Sequence, residues 1–280
     1  MKKLIFIAAL LHAVTACKPG PQEGASVQSI DNMTRSDGAS LTRNHCGLTF
    51  TEDRLEALSP KNRAKLRRID APTEKLKLAA AGALSAVPKA IQSMFFQADG
   101  RIRVVADPGK VCSTVGLSEA EQRFAGEETD KVDGCWRLDD HHLEIIIKAD
   151  EKAVQHGLVR LFGYAYTQFF AARVGTVDAN ESVKASIDRG LKRFDSQRYE
   201  LAGALLGDLE LRDNKVQAKF ERFAKTDPKA FENFVFAEAL DSYYCSATTR
   251  AVMRRDFPAT YRAFTQGPLG LLKDFGEPIL

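Results

Sequence analysis

His156 lies in a stretch, Glu151 to Val174, whose apolar residues recur at helical spacing. Imidazole is the commonest side-chain metal ligand, so the first chemistry to test is a divalent cation. A hydrolytic metal site on one helix needs a second imidazole four residues on, a glutamate beside the first to activate water, and a third ligand from elsewhere. Here position 157 is glycine, with no side chain to take a proton, and position 160 is arginine, whose guanidinium has no lone pair to offer. Glu238 and Asp241 stand three residues apart and share a helical face with Phe231 and Phe234, which makes partly buried carboxylates of them. Without a partner, His156 reads as a hydrogen-bonded helix residue, and Glu238 and Asp241 as ordinary helix carboxylates. Asp139, Asp140, His141 and His142 place four ligand types together, but in a turn-like stretch before a strand, where solvent exposure is the ordinary state. No Gly-x-Ser-x-Gly elbow, phosphate-cradling glycine loop or nucleic-acid signature occurs, so serine-based acyl transfer has no carrier and no nucleic-acid partner is expected.

The elements that must position these residues can be read from period and punctuation. Leu143, Ile145 and Ile147 alternate as a strand over His142 to Lys148, and Asp150 then opens the long helix. On a helical wheel, Val154, Leu158, Leu161, Phe162, Ala165 and Phe169 form one face. His156, Arg160, Gly163, Tyr164 and Thr167 form another, where a cleft is expected. Upstream, Ser59-Pro60 starts a helix continuing from Lys61 to Ile69. Thr73 to Val87 forms the next, Pro88 breaks it, Lys89 to Phe96 forms a third, and Ile102, Val104 and Val105 a strand. Asp107-Pro108-Gly109 reads as a turn, Ser118 with Glu121 as a capping box, Gly126 to Gly134 as an acidic loop, and Cys135 to Arg137 as a strand. Helices follow over Glu181 to Leu211, as one or as two joined near Asp195-Ser196, and over Asp213 to Lys225. Asp227-Pro228 opens the helix carrying Glu238. Ser246 caps a basic helix that Phe257-Pro258 ends, and the tail after Gly267-Pro268 reads as irregular. A few strands followed by long helices give an α+β fold, predominantly helical with a small sheet.

Gln155-His156-Gly157-Leu158-Val159-Arg160 resembles the frame, though not the chemistry, of the His-Glu-x-x-His helix of zincin-type zinc metallopeptidases. Phe236-Ala237-Glu238-Ala239-Leu240-Asp241 resembles the helix that gives such enzymes their third, carboxylate ligand. The order strand, active-site-type helix, helical insertion and second helix covers roughly Ile102 to Tyr261. The resemblance implies a sheet over the first helix, with a helical lobe across a cleft. It also implies that, where the two helices cross, Arg160 pairs with Glu238 and sets a fixed positive charge in the place of the metal. His156, Arg160, Glu238 and Asp241 are then the members of a degenerate site with no catalytic residue, and zinc is not expected.

At the other end, Lys2 and Lys3 precede an apolar run from Leu4 to Val14, closed by Val14-Thr15-Ala16-Cys17. The run is far short of the roughly 20 residues that span a bilayer. It resembles a bacterial lipoprotein signal, in which Cys17 receives the lipid and becomes the new N-terminus. In a cell with two membranes, Lys18 after that cysteine resembles the pattern sorted to the outer one. Residues 1–16 are thus expected to be a signal peptide and 17–45 a lipidated cysteine with a flexible Gly, Ser, Pro and Gln-rich tether. Residues 46–280 are expected to form one zincin-like α+β domain. Loss of Lys2 and Lys3 leaves 38 basic residues against 37 acidic, from which no polyanion partner follows.

Besides Cys17, the chain has Cys46, Cys112, Cys135 and Cys245. In an oxidising envelope an even number suggests two disulfides, and three pairings are possible. Cys112 and Cys135 bracket one insertion between strands, which favours that bridge and leaves Cys46 to Cys245. No two lie at the short spacing of structural zinc sites. Together these features suggest a protein of the cell envelope, held to the membrane by its lipid, with an inactive metallopeptidase-like scaffold that binds a peptide or an envelope protein. Two other readings stand beside it: an active metal-dependent hydrolase with an atypical site, and a structural envelope lipoprotein.

Overall fold

A computed structural model of the chain describes residue 46 and residues 64–112, 134–138, 143–176, 181–210, 214–266 and 270–276. The signal and Cys17, the tether, Ser59-Pro60, the Ser118 capping box, the acidic loop before Gly134 and the Asp139 to His142 cluster lie outside these residues. The described residues form an α+β fold, mostly helical, with one four-stranded mixed sheet.

In chain order come β1 (Ile69–Asp70), α1 (Glu74–Ala86), α2 (Lys89–Gln97), β2 (Arg101–Val105), α3 (Pro108–Cys112), β3 (Gly134–Leu138) and β4 (Leu143–Lys148). Helices α4 (Glu151–Thr176), α5 (Glu181–Glu210), α6 (Asn214–Thr226), α7 (Pro228–Tyr244), α8 (Ala247–Asp256), α9 (Pro258–Thr265) and α10 (Leu272–Phe275) follow. The sheet order is β1-β2-β4-β3; β2 runs parallel to β1 and β4, and β3 antiparallel to β4. Parallel neighbours need a crossover, which α1 and α2 supply between β1 and β2. Gln92 locks that crossover by donating to the carbonyls of Leu84 (2.9 Å) and Val87 (2.8 Å), satisfying acceptors left open where α1 ends. Asp99, with φ of 49°, makes the left-handed step into β2, and Gly100 follows because a Cβ there would stand 2.4 Å from the Phe95 ring.

Alternation along β2 sends Ile102 and Val104 into the core and leaves Arg101 and Arg103 on the other face. The inner face meets α4. Asp150 starts that helix, its carboxylate accepting from the Ala153 amide at 2.9 Å. On the far side α4 lies against α7, in which every residue from Phe234 to Tyr244 is buried. Covered on both sides, the helix buries most of its less apolar face: Gly163, Tyr164 and Thr167 are buried, as are Leu158 and Phe162, while Arg160 keeps partial exposure. Tyr164 stacks on Trp136 at 5.0 Å.

Several boundaries differ from the sequence reading. Ile69 is a strand residue because its amide neighbour Arg68 offers a carbonyl to Ile102 at 2.9 Å; only 64–66 of the expected helix are helical among the described residues. Pro108-Gly109 opens α3 instead of a simple turn. Of the two readings for 181–211, the single helix is the one found: α5 runs unbroken through Asp195-Ser196, where Asp195 pairs with Arg198 one turn on and with Lys229 of α7 at 2.8 Å. Beyond Phe257-Pro258 the chain forms α9, and the tail forms α10. Phe257 gives α9 no side-chain cap, so Asp208 of α5 supplies one, accepting from the amides of Ala259 (3.0 Å) and Thr260 (2.8 Å) and the Thr260 hydroxyl (2.7 Å). Among the described residues no helix is long and apolar enough to cross a membrane.

Candidate functional site

Helices α4 and α7 cross at Gly163. A Cβ there would stand 2.8 Å from Ala237 Cα, so the two backbones meet with nothing between them. Arg160 lies about one turn before the contact on α4, and Glu238 next to it on α7. The Arg160 guanidinium donates to Glu238 Oε1 at 3.4 Å, with the carboxylate side chain 6% exposed and the arginine 28%. Oε2 of Glu238 and Oγ of Ser242 are buried without a hydrogen-bond partner among the described residues.

Burial pushes the Glu238 carboxyl up to about 7, and the charge and hydrogen bond of Arg160 act against that rise without cancelling it. Burial, and secondarily the charge of Glu238, raise Asp241 well above the usual carboxylate range, with Arg160 again opposing. Burial thus works against the ionised form of both carboxyls, and a single guanidinium opposes it for the two of them.

Cys46 stands at disulfide distance from Cys245, and Cys112 from Cys135. Asp241 Oδ1 lies 3.9 Å from Cys46 Sγ, a packing contact only, because a sulfur bonded to another sulfur has no proton to donate. Cys46, Asp241 and Cys245 bring their ligand atoms within 4.8 Å of one another. That trio does not suit a metal while the sulfurs are joined, since a metal takes the thiolate. The residues around Arg160 do not suit one either: the fixed guanidinium charge, 3.4 Å from the Glu238 carboxylate, repels a cation there.

His156 lies in α4, and its side chain falls outside the described groups. Gly157 is buried against the sheet, where a Cβ would come 3.2 Å from Ile147 Cδ1, so position 157 faces β4 and not α7. The expected cleft between α4 and α7 is filled by direct packing of the two helices.

A hollow lies elsewhere among the described residues, on the outer face of the sheet. It is lined by side chains of β1, β2, β4 and the turns beside them, and encloses about 610 Å³. Glu144, on β4, receives Arg103 at 3.3 Å and Arg137 at 2.5 Å; Asp99 receives Arg68, with Arg101 at 4.0 Å. The alternation Arg101-Ile102-Arg103-Val104 carried the signal for this face in the sequence, but only the strand order brings the other charges beside it. No family model matches the chain, and no curated protein matches it in sequence.

Proposed function

We propose that the chain is a lipid-anchored protein of the cell envelope whose metallopeptidase-like scaffold is catalytically inactive and acts in binding. The observation that carries the inactive part is the Arg160–Glu238 pair, 3.4 Å apart with the carboxylate buried. A fixed guanidinium stands on the carboxylate that would be the third zinc ligand. Gly157, turned to the sheet, supports the same reading, because the residue in the place of the general base does not face the site. The envelope part rests on Lys2-Lys3, the apolar run to Val14 and Thr15-Ala16-Cys17, with the lipid on Cys17 and, in a cell with two membranes, the outer one as destination.

A second reading, a structural envelope lipoprotein unrelated to metallopeptidases, is favoured by the closed crossing at Gly163, which leaves no substrate groove between α4 and α7. Mass spectrometry of the purified protein for metal, prepared without chelator and then challenged with zinc, separates both from an atypical metal hydrolase. The expected result is no retained zinc in wild type, Arg160→Gln or Glu238→Ala. Near-stoichiometric zinc lost in Glu238→Ala would overturn the inactive scaffold. Intact mass of the N-terminal peptide, with and without Cys17→Ala, tests the anchor: an unlipidated, soluble wild type would overturn it.

A further inference from the structure

We propose that the hollow on the outer face of the sheet is a phosphate-binding site. Its charge is unevenly matched. Asp99 is shared between Arg68 and Arg101, and Glu144 between Arg103 and Arg137, so each carboxylate leaves one guanidinium charge over. Arg67, exposed on the turn before β1, lines the same hollow and makes no ion pair among the described residues; Asp70 beside it opposes an anion and offsets that one charge. Four guanidiniums line the hollow against three carboxylates, and a fifth, Arg137, binds Glu144 from β3 beyond the lining, so the hollow with its rim carries a formal excess of two positive charges.

Guanidiniums are rigid planar forks of N–H donors that stay charged at any physiological pH. A single carboxylate ligand carries one charge and meets one fork. A phosphate monoester carries nearly two charges and three acceptor oxygens, which matches the excess and can engage several forks at once. The platform beneath is firm: Arg101 and Arg103 project from a strand whose intervening residues, Ile102 and Val104, are buried in the core. Glu144, with its side chain 12% exposed, holds Arg103 and Arg137 in place before any ligand arrives. The site shares no residue with the Arg160–Glu238 pair and does not depend on the metallopeptidase resemblance.

Two sources can present that chemistry, a soluble phosphate compound or the monoester headgroup of phosphatidic acid. Calorimetric titration of the full chain in detergent distinguishes them, using inorganic phosphate in one arm and mixed micelles with phosphatidic acid or, as the diester control, phosphatidylcholine in the other. The expected result is saturable binding of inorganic phosphate that weakens with added salt and falls about tenfold or more in Arg67→Gln/Arg101→Gln, two exposed positions whose loss leaves the core alone. Arg160→Gln should bind as wild type does, so failure of the scaffold reading and failure of this site show separately. Binding of phosphatidic acid micelles alone, lost in the same double variant, would assign the site to a lipid headgroup. Binding of neither probe, or equal binding by wild type and Arg67→Gln/Arg101→Gln with unchanged melting, would overturn the proposal.

Discussion

Arg160 and Glu238 stand 78 residues apart in the chain, yet the guanidinium of one lies 3.4 Å from the carboxylate of the other. The pair does not neutralise itself. Arginine keeps a path to solvent, whereas the carboxylate is buried beside a second carboxyl, Asp241, so the cost of ionisation falls on Glu238 and on Asp241.

Folding stability should therefore decline as pH rises through the window that Glu238 defines. Its carboxyl titrates at about 7 in the folded protein against an ordinary value of 4.5, so the folded state holds an extra proton between those values. The stabilisation is complete below about 4.5, shrinks with each step upward and is gone above about 7. Its total is roughly 3 kcal/mol for this one group. Glu238→Gln should flatten that slope in urea unfolding at pH 5, 6, 7 and 8. Arg160→Met removes the charge that holds Glu238 down, so it should destabilise more at pH 8 than at pH 5. Equal pH slopes in wild type and Glu238→Gln would refute this account.

Gly157→Glu places a glutamate immediately after His156, as a hydrolytic zinc helix requires, and should nonetheless yield no peptidase. Position 157 abuts Ile147 of β4, so the new carboxylate would be driven against the apolar inner face of the sheet. Burying a charge there and overfilling a packed contact together cost several kcal/mol or force the strand away. Thermal unfolding followed by circular dichroism should show a large loss of stability, with Gly157→Ala intermediate. A stable variant that gained zinc-dependent peptide cleavage would reverse the assignment of this face.

Period and capping residues located most elements, because local rules suffice where a helix carries its own stop and start. Thr73, Asp227 and Ser246 all cap as their types suggest, and Leu143 to Lys148 is the strand its alternation indicates. Long-range partners decided the rest. Ile69 was drawn out of a helical run by the backbone of β2, and α9 owes its N-terminal bonds to Asp208, some 50 residues earlier. The polar side of α4 looked like a cleft because Gly163, Tyr164 and Thr167 are not strongly apolar. In the fold, glycine is what lets α7 approach, and Tyr164 has Trp136 to stack on. The approach of Arg160 to Glu238 could be anticipated from the resemblance of two helices, but the arginine-lined hollow could not, since nothing in a linear sequence says that β2 lies between β1 and β4.

The two cysteine pairs should differ in what they contribute. Cys46 and Cys245 are 199 residues apart, Cys112 and Cys135 only 23. Closing a loop removes entropy from the unfolded chain in proportion to the logarithm of its length, giving about 5 kcal/mol for the longer loop and about 3 kcal/mol for the shorter. Packing acts in the same direction, since Cys46 and Cys245 are buried in the core beside Asp241. Urea unfolding of C46A/C245A should therefore show a larger loss than that of C112A/C135A, and a reductant should lower wild type by more than either. Peptide mapping without reduction checks that each pair is bonded in the protein used. If both bonds form and C112A/C135A proves the more damaging, chain entropy is not what the longer link supplies. The short bridge, on the sheet's outer face next to Arg137, would then be holding the strands themselves together.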